Sequence, residues 1–176
     1  QTITGSGTLT LGTSGETVSF ASGVTGLNYP AFEAYKTSNQ TLTDVILTKV
    51  QFETESFDTD NCYDNSTNYR FTPTVAGKYF VYTEVLTDAQ TASNLNNQKL
   101  FIYKNGSEYK ETINEFLSNP IRQTQINAIA TIDMNGSSDY LEIYIILDTS
   151  NGSSGVVEGT VLYPKATIFG AYRIGT

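Results

Sequence analysis

Residues 78–87 read KYFVYTEVLT and residues 139–148 read DYLEIYIILD, and these two stretches decide the fold class. Both are rich in β-branched and aromatic residues, which favour extended strands. Because side chains alternate between the two faces of a strand, each stretch carries apolar groups on both faces. In the first, the faces hold Tyr79, Val81 and Val85 on one side and Phe80, Tyr82 and Leu86 on the other. A strand with two apolar faces needs a packing partner on each.

The rest of the chain after Pro30 repeats this strand character, without any long stretch of helical periodicity. Short apolar and aromatic runs end at Asn, Gly, Asp or Pro, which are turn formers. Besides the two opening stretches, the predicted strands are 31–37, 44–52, 69–75, 99–105, 108–116, 123–134 and 165–174. Many short strands at this spacing predict an all-β protein, an antiparallel sandwich of two sheets.

Composition excludes several classes of function. The formal net charge is −8 with only 10 Lys and Arg, scattered along the chain, so a nucleic-acid partner is not expected. The chain has no His, and Cys62 is its single Cys, which removes the usual zinc ligands, the usual general base and any disulfide framework. Membrane insertion is not expected either, because no apolar run approaches the roughly 20 residues that cross a bilayer. We predict a protein without enzymatic activity.

The first 28 residues differ from the remainder. They are mostly Gly, Ser and Thr with isolated apolar residues, and Glu16 is their only charge. Two interpretations stay open, a flexible linker and a β-rich stalk whose apolar positions become buried only between chains. The predicted organisation is therefore a stalk or linker over 1–28 and one domain over 29–176. Because residue 1 is Gln and no signal-like segment follows it, we expect a fragment or a processed chain.

A family resemblance lies in residues 61–82, NCYDNSTNYRFTPTVAGKYFVY, which resemble the signature of the globular head of the first complement component and its tumour necrosis factor relatives. The matching residues are Tyr63, Asp64, Ser66, Thr67, Phe71, Gly77 and Tyr79. PAFEAY at 30–35 and ATIFGAYRI at 166–174 look like the family's first and last strands. The sequence departs from the pattern at Val81, where an aromatic residue is usual, and has no collagen-like repeat ahead of the domain.

The resemblance implies a ten-stranded jelly roll that assembles as a tight homotrimer, with both termini at its base. It also agrees with the two-faced strands, whose second faces another copy of the chain would bury. The alternative is that these aromatic residues lie singly at the surface. The predicted trimer-interface residues are Phe80, Tyr82, Tyr140, Tyr144, Phe169 and Tyr172.

The sequence contains only weak matches to metal-binding and catalytic motifs. The acidic loop 58–64 lacks the ligand spacing of a calcium-binding EF-hand, so its residues are predicted to be turn formers and no metal or cofactor is expected. Calcium stays a minor alternative, because relatives in the resembled family sometimes hold it. Glu53 and Glu55, and likewise Glu111 and Glu115, lie on one strand face, where paired solvent-facing carboxylates are ordinary.

Strand direction predicts where recognition takes place. If successive strands run antiparallel, the short turns at 76–77, 106–107 and 135–138 share one end, and the longer loops 88–98 and 149–162 share the other. Long polar loops on a rigid sandwich commonly carry binding residues. The predicted ligand-binding residues in these loops are Asn94, Asn96, Asn97, Ser150, Asn151 and Ser153.

The Gly/Ser/Thr-rich opening resembles shaft sequences of bacteriophage fibre and virion proteins, particularly those of marine phages. The predicted function is therefore a trimeric fibre head or capsid-associated module at the virion surface, binding a host-surface glycan or receptor through the distal loops. The alternative is an extracellular complement-like trimeric binding protein of a cellular organism, and a carbohydrate-active enzyme is the weakest candidate. The sequence does not name the ligand or the host.

Overall fold

A computed structural model describes residues 29–159 and 165–175. The predicted stalk or linker at 1–28 lies outside these residues. The described chain consists of strands and connecting loops. The strands are β1 Ala31–Tyr35, β2 Gln40–Leu42, β3 Thr48–Lys49, β4 Thr54–Asp58, β5 Tyr63–Asp64, β6 Arg70–Phe71, β7 Gly77–Asp88, β8 Leu95–Lys104, β9 Ser107–Glu115, β10 Gln123–Met134, β11 Leu141–Thr149, β12 Gly155–Val157 and β13 Ile168–Gly175. Nothing in the described ranges forms a helix of a length and hydrophobicity that would cross a membrane.

The strands form two antiparallel sheets that pack face to face, which confirms the predicted jelly-roll sandwich. Sheet A runs β4, β1, β13, β7, β10, with β12 continuing beside the end of β7 and β2 beside β12. Sheet B runs β5, β6, β11, β8, β9, with β3 also paired to β11. The long strands β7 and β10 pair along their whole length, from Gln123 opposite Asp88 to Met134 opposite Gly77. Sheet A is thus the longer and more continuous layer.

The core between the sheets is filled by the inward faces that strand alternation predicts. On β7, Tyr79, Val81 and Val85 are fully buried, and the odd-numbered apolar residues of β11 are buried as well. An aromatic cluster centres on Phe32, whose ring stacks on Phe71 with centroids 4.5 Å apart. Offset and edge-on ring contacts of this kind add to the free energy gained from burial.

The resembled signature at 61–82 is a structural motif of the fold. The Asp64 carboxylate accepts hydrogen bonds from the backbone amides of Ser66, Thr67 and Asn68, at 3.1, 2.9 and 3.0 Å. These bonds hold the pKa of Asp64 well below its usual value and close the turn before β6. Gly77 begins β7 with φ of 148°, and a Cβ there would overlap the carbonyl oxygen of Gly175. The signature residues Asp64 and Gly77 therefore shape the backbone.

The strands predicted at 44–52 and 69–75 were wrong over most of their length, and so was the loop predicted at 149–162. The stretch 69–75 contains only the two-residue β6. The stretch predicted as a strand at 44–52 contains only the two-residue β3, because Val45 has a left-handed φ of 51° and the chain turns there. The loop predicted at 149–162 contains β12, which pairs with both β2 and β7. A continuous apolar run does not reveal a turn, and a Gly/Ser-rich run does not reveal pairing that comes from distant strands.

The two ends of the sandwich carry the connections that strand parity predicts. At the proximal end, Gly175 pairs with Lys78, and the turn at Gly136 lies against Ala76. At the distal end, the backbone of Asn94 bonds to Ile121 and to Ser150, at 2.9 and 2.8 Å. The prediction that the loops after β7 and β11 share the end opposite Gly175 is confirmed.

Candidate functional site

An apolar surface covers the outward face of sheet A. Tyr172 of β13 lies opposite Phe80 of β7 in the strand register, and their ring centroids are 5.3 Å apart. In the next row, Tyr82 lies opposite Ile129 of β10. Tyr172, on the inner strand β13, is 45% exposed, and Ile129, on the edge strand β10, is 56% exposed, although both lie in strands rather than in loops. We call Phe80, Tyr82, Ile129 and Tyr172 the apolar face.

The Tyr82 ring lies directly over Gly170 of β13. A Cβ at Gly170 would overlap the Tyr82 ring, so only glycine lets the ring lie across β13. The Tyr82 hydroxyl reaches over β13 and donates a hydrogen bond to the Glu33 carboxylate at 3.0 Å. Ser56 and Lys165 donate to the same carboxylate, at 2.8 and 3.3 Å. The apolar face is thus bordered by one fully engaged polar cluster.

Glu33 is ionised because of that cluster. Burial alone would raise its pKa, but hydrogen bonds from Ser56, Tyr82 and Lys165 outweigh burial and hold the pKa below its usual value. For the same reason the pKa of Tyr82 is raised, by burial first and by the neighbouring Glu33 charge second. The phenol therefore remains a donor to Glu33 at neutral pH.

The structure separates the six predicted trimer-interface residues. Phe80, Tyr82 and Tyr172 share the apolar face. Tyr140 and Tyr144 lie on the other sheet, beside and within β11. Phe169 requires a correction, because its side chain is fully buried in the core against Phe32, with centroids 4.9 Å apart. The register explains this position, since Phe169 lies opposite Ala34 and Thr83, which both point inward.

The outward face of sheet B is aromatic too, but charged groups cover its rings. The Lys49 ammonium lies 5.6 Å from the Tyr144 ring centroid and pairs with the Glu142 carboxylate at 2.6 Å. The Arg70 guanidinium lies 4.7 Å from the Tyr140 ring centroid. Cations over aromatic rings stabilise both groups while keeping the surface hydrated. Burial would lower the pKa of Lys49, but the bond to Glu142 outweighs it and raises that pKa.

The distal loops bring the predicted ligand-binding residues together and bond them to one another. Ser150 donates to the Asn96 side chain at 2.6 Å, and Asn97 donates to Asp148 at 2.6 Å. Asn94 donates to Ser153 at 3.2 Å. The backbone amide of Asn151 donates to the Asn94 side chain, and the backbone amide of Ser153 donates to the Asn151 side chain. These two bonds complete the network.

Burial divides these six residues. Asn94 is only 3% exposed, and its amide serves the loop network, so its predicted role in ligand contact is corrected to a structural one. Ser150 and Asn151 are exposed, and Asn96, Asn97 and Ser153 are partly exposed. A ligand at this end would therefore meet a preformed polar surface rather than free side chains.

A distal feature that the sequence reading missed is the loop 45–47, which presents three consecutive aliphatic side chains to solvent. Val45, Ile46 and Leu47 are 59%, 55% and 40% exposed. The loop is fixed by the Val45 amide, which donates to the Leu147 carbonyl at 2.8 Å, and by Asp44, which accepts from Thr149 at 2.7 Å. The sequence does not reveal this loop, because the turn depends on the left-handed φ of Val45, which is unusual for a β-branched residue.

The acidic residues have structural roles. Glu53 accepts hydrogen bonds from the backbone amides and hydroxyls of Thr37 and Ser38 and pairs with the buried Lys36 at 3.3 Å. Burial would raise its pKa, but these bonds lower it to about 2. In the acidic loop, Asp58 accepts from the Tyr63 amide at 2.8 Å. Within the described ranges, no group of three or more His, Cys, Asp or Glu side chains is arranged to hold a metal ion.

Solved structures share this fold. A crystal structure of murine APRIL has a TM-score of 0.59 at 9% identity, covering 84% of this chain and 100% of that chain. The globular domain of zebrafish complement 1qA protein has a TM-score of 0.57 at 12% identity, covering 82% of this chain and 97% of that chain. No family model and no curated protein matches the sequence. The chain therefore has the jelly-roll fold of APRIL and of the complement 1qA globular domain.

Proposed function

We propose that this chain is the subunit of a homotrimeric binding head, which has no enzymatic activity and contacts its ligand with the distal end. The single observation that carries the proposal is the apolar face on sheet A. Phe80, Tyr82, Ile129 and Tyr172 lie in adjacent rows of one rigid sheet, and no described side chain covers Tyr172 or Ile129. An uncovered apolar face on a sheet is characteristic of an interface between protein chains.

The occupant of this face is a second and third copy of the chain. A sandwich of this size has no third layer of its own, and its fold is that of the complement 1qA globular domain. The carboxylates of the outward face of sheet A have partners within the chain. Glu33 pairs with Lys165 and accepts from Tyr82, Asp133 pairs with Lys78 at 2.8 Å, and Glu84 accepts from Gln125 at 3.0 Å. A copy that packs on the apolar face therefore meets carboxylates that are already engaged.

Sedimentation equilibrium or light scattering tests the assembly. We expect a mass of three times 19.3 kDa at micromolar concentration. A mass of 19.3 kDa would contradict the proposal. An obligate interface of this kind should bury about 2,000 Å² or more in total.

Ligand recognition is proposed for the distal end. There the exposed aliphatic loop 45–47 lies beside the polar loop at 150–153, since Asp44 bonds Thr149 and approaches Gly152. Aliphatic and amide groups side by side on a rigid support suit a ligand with both apolar and hydroxyl-bearing parts, such as a glycan or a glycoprotein receptor.

Substitutions at the tips of these loops test recognition with the loss of one side-chain bond of the network, from Ser150 to Asn96. The variant Ile46→Ser with Ser150→Ala is expected to stay folded and trimeric and to lose binding at least tenfold on a glycan array or on host cells. The control is Ile113→Ser, which removes an aliphatic side chain of similar exposure from β9. Unchanged binding by the first variant would place recognition elsewhere.

The virion surface is the location we propose, with the head displayed on a fibre. The support is the Gly/Ser/Thr-rich sequence before residue 29, which resembles phage fibre shafts. Capsid and tail genes beside the coding gene, and detection of the protein in purified particles, test this location. An extracellular complement-like protein is the second candidate, favoured by the shared fold with the zebrafish complement domain, and secretion from a cellular organism would support it.

A further inference from the structure

A polar cleft opens at the edge of the sandwich, between β4 of sheet A and the β5–β6 hairpin of sheet B. Its volume is about 470 Å³, and Glu55, Asn61, Asn65, Asn68 and Arg70 line it. Glu55 lies opposite the buried Ala34 in the register, so its side chain lies at the open edge between the sheets rather than on the apolar face. The cleft is therefore separate from both surfaces in the proposed function.

Among the described residues, Arg70 is the one cation of this cleft, whose lining also contains the carboxylates of Glu55 and Asp64. Every Lys or Arg except Arg70, Lys110 and Arg173 forms an ion pair with a carboxylate of the described residues. The Arg70 guanidinium instead stacks 4.7 Å from the Tyr140 ring centroid. Stacking holds the planar guanidinium in place while leaving its N–H edges free, the arrangement that binds a carboxylate through two parallel hydrogen bonds.

The amides around Arg70 are also available. The side chains of Asn61 and Asn65 make no hydrogen bond with the described residues, and the Asn68 amide donates to Asp64 at 2.8 Å while its oxygen stays open. Glu55 faces the same cleft, and its pKa is raised by burial first and by the nearby Asp58 second. Asp64 takes no part, because its oxygens accept bonds from the turn.

These groups define the chemistry of a ligand. Asparagine amides donate to and accept from hydroxyl groups, and a carboxylate accepts from them. A guanidinium that lies over an aromatic ring without a carboxylate partner suits an anionic group with a planar fork. We propose that this cleft binds a carboxylated sugar, a uronic acid residue of an oligosaccharide, with the sugar carboxylate on Arg70 and its hydroxyls on Glu55, Asn61 and Asn65.

Titration of the intact chain with D-glucuronic and D-galacturonic acid, followed by saturation-transfer NMR, tests the site. We expect both acids to bind, and D-glucose, D-galactose and acetate to bind at least tenfold more weakly. Arg70→Ala should weaken uronic acid binding at least tenfold. Arg70→Lys keeps the charge but loses the fork, and should weaken binding at least threefold.

The matched control is Lys110→Ala, which removes another cation without a carboxylate partner, on β9 away from the cleft. It should leave binding within twofold. Equal binding of neutral sugars or of acetate, an unaffected Arg70→Lys variant, or no binding of either uronic acid would each overturn the proposal. If the Arg70→Ala variant fails to fold, uronic acid binding by the Arg70→Lys variant tests the proposal in its place.

The cleft lies within one chain, so its test is independent of the trimer and of the distal loops. A variant that is monomeric through substitution of the apolar face should still bind uronic acids. A wild-type chain that is monomeric and binds uronic acids would contradict the proposed function alone, and a trimeric wild-type chain that binds neither acid would contradict the cleft alone.

Discussion

The outward faces of the two sheets have similar aromatic content and opposite surroundings. On sheet A, Phe80 and Tyr172 contact each other, and Tyr172 presents nearly half its surface to solvent. On sheet B, Tyr144 packs on Tyr103 with centroids 4.6 Å apart and lies under Lys49. An aromatic residue on a strand therefore does not by itself mark an interface.

The difference lies in what neighbours each ring. The sheet-B face carries the ion pairs Lys49–Glu142 and Lys99–Glu111, at 2.6 and 3.0 Å, so displacing its charges from water would be costly. The sheet-A face also has ion pairs, Lys78–Asp133 and Lys165–Glu33 at 2.8 and 3.3 Å, but its apolar face offers aliphatic and aromatic groups in adjacent rows. Burial of such groups is favourable by about 25 cal/mol per Å². This contrast is the reason why we propose the sheet-A face for protein contact and the sheet-B face for solvent.

The largest expected effect tests this assignment directly. The double variant Phe80→Asp with Tyr172→Asp places two charges on the apolar face and should reduce the mass from three chains to one. Because both positions point away from the core, the monomer should keep its β-structure. Light scattering and circular dichroism measure the two outcomes.

The control for that variant is Tyr144→Asp, which introduces a charge at a partly exposed tyrosine in the centre of the other face. It should leave the mass unchanged. If Tyr144→Asp dissociates the assembly and the double variant does not, sheet B is the interface and the comparison is reversed.

A smaller effect is expected at Gly170, over which the Tyr82 ring lies. Gly170→Ala puts a methyl group where the Tyr82 ring lies and should lower the free energy of unfolding by about 1–3 kcal/mol, measured by urea denaturation. Gly175→Ala is the control, because no atom lies within 4 Å of its added Cβ, and should change stability by less than about 0.5 kcal/mol. In a Tyr82→Ala background, Gly170→Ala should be nearly neutral. A full-size effect in that background would mean that Tyr82 is not the obstacle.

The smallest effect is the pH dependence from Glu33 beside the apolar face. A carboxyl group whose pKa is lower in the folded chain stabilises the fold fully above its unfolded pKa, near 4.5, and this contribution disappears as the pH falls through the folded value. At pH 7 the Glu33→Gln variant should therefore have a free energy of unfolding about 1 kcal/mol lower than that of the wild type. Between pH 5 and pH 3 its free energy of unfolding should fall less steeply than that of the wild type.

Urea denaturation at pH 7, 5 and 3 measures this dependence. Glu108→Gln, which removes the same charge from an exposed position on β9, should stay within about 0.5 kcal/mol of the wild type at pH 7. A Glu33→Gln variant that follows the wild-type curve at every pH would show that the Ser56, Tyr82 and Lys165 bonds add no net stability.

Much of the candidate site was readable from strand periodicity. Alternation placed Phe80 and Tyr82 opposite the core residues of β7, and strand parity placed the loops after β7 and β11 at one end. Phe169 was assigned wrongly, because β13 has apolar residues on both faces and its one charged residue, Arg173, shares the parity of the buried Phe169. Asn94 was assigned wrongly for a related reason, since composition does not distinguish an exposed amide from one that ties two loops together.

The amino-acid sequence alone determined the all-β class, the two-sheet sandwich and the two-faced strands, because these depend on residue type and a local period of two. Tertiary structure decided which aromatic rings have a cation over them, since the cations come from residues distant in sequence. Lys49 reaches Tyr144 across β3 and β11, and Arg70 reaches Tyr140. The proposed uronic acid cleft combines lining residues that are local in sequence, within 55–72, with Tyr140, which sheet packing brings against Arg70.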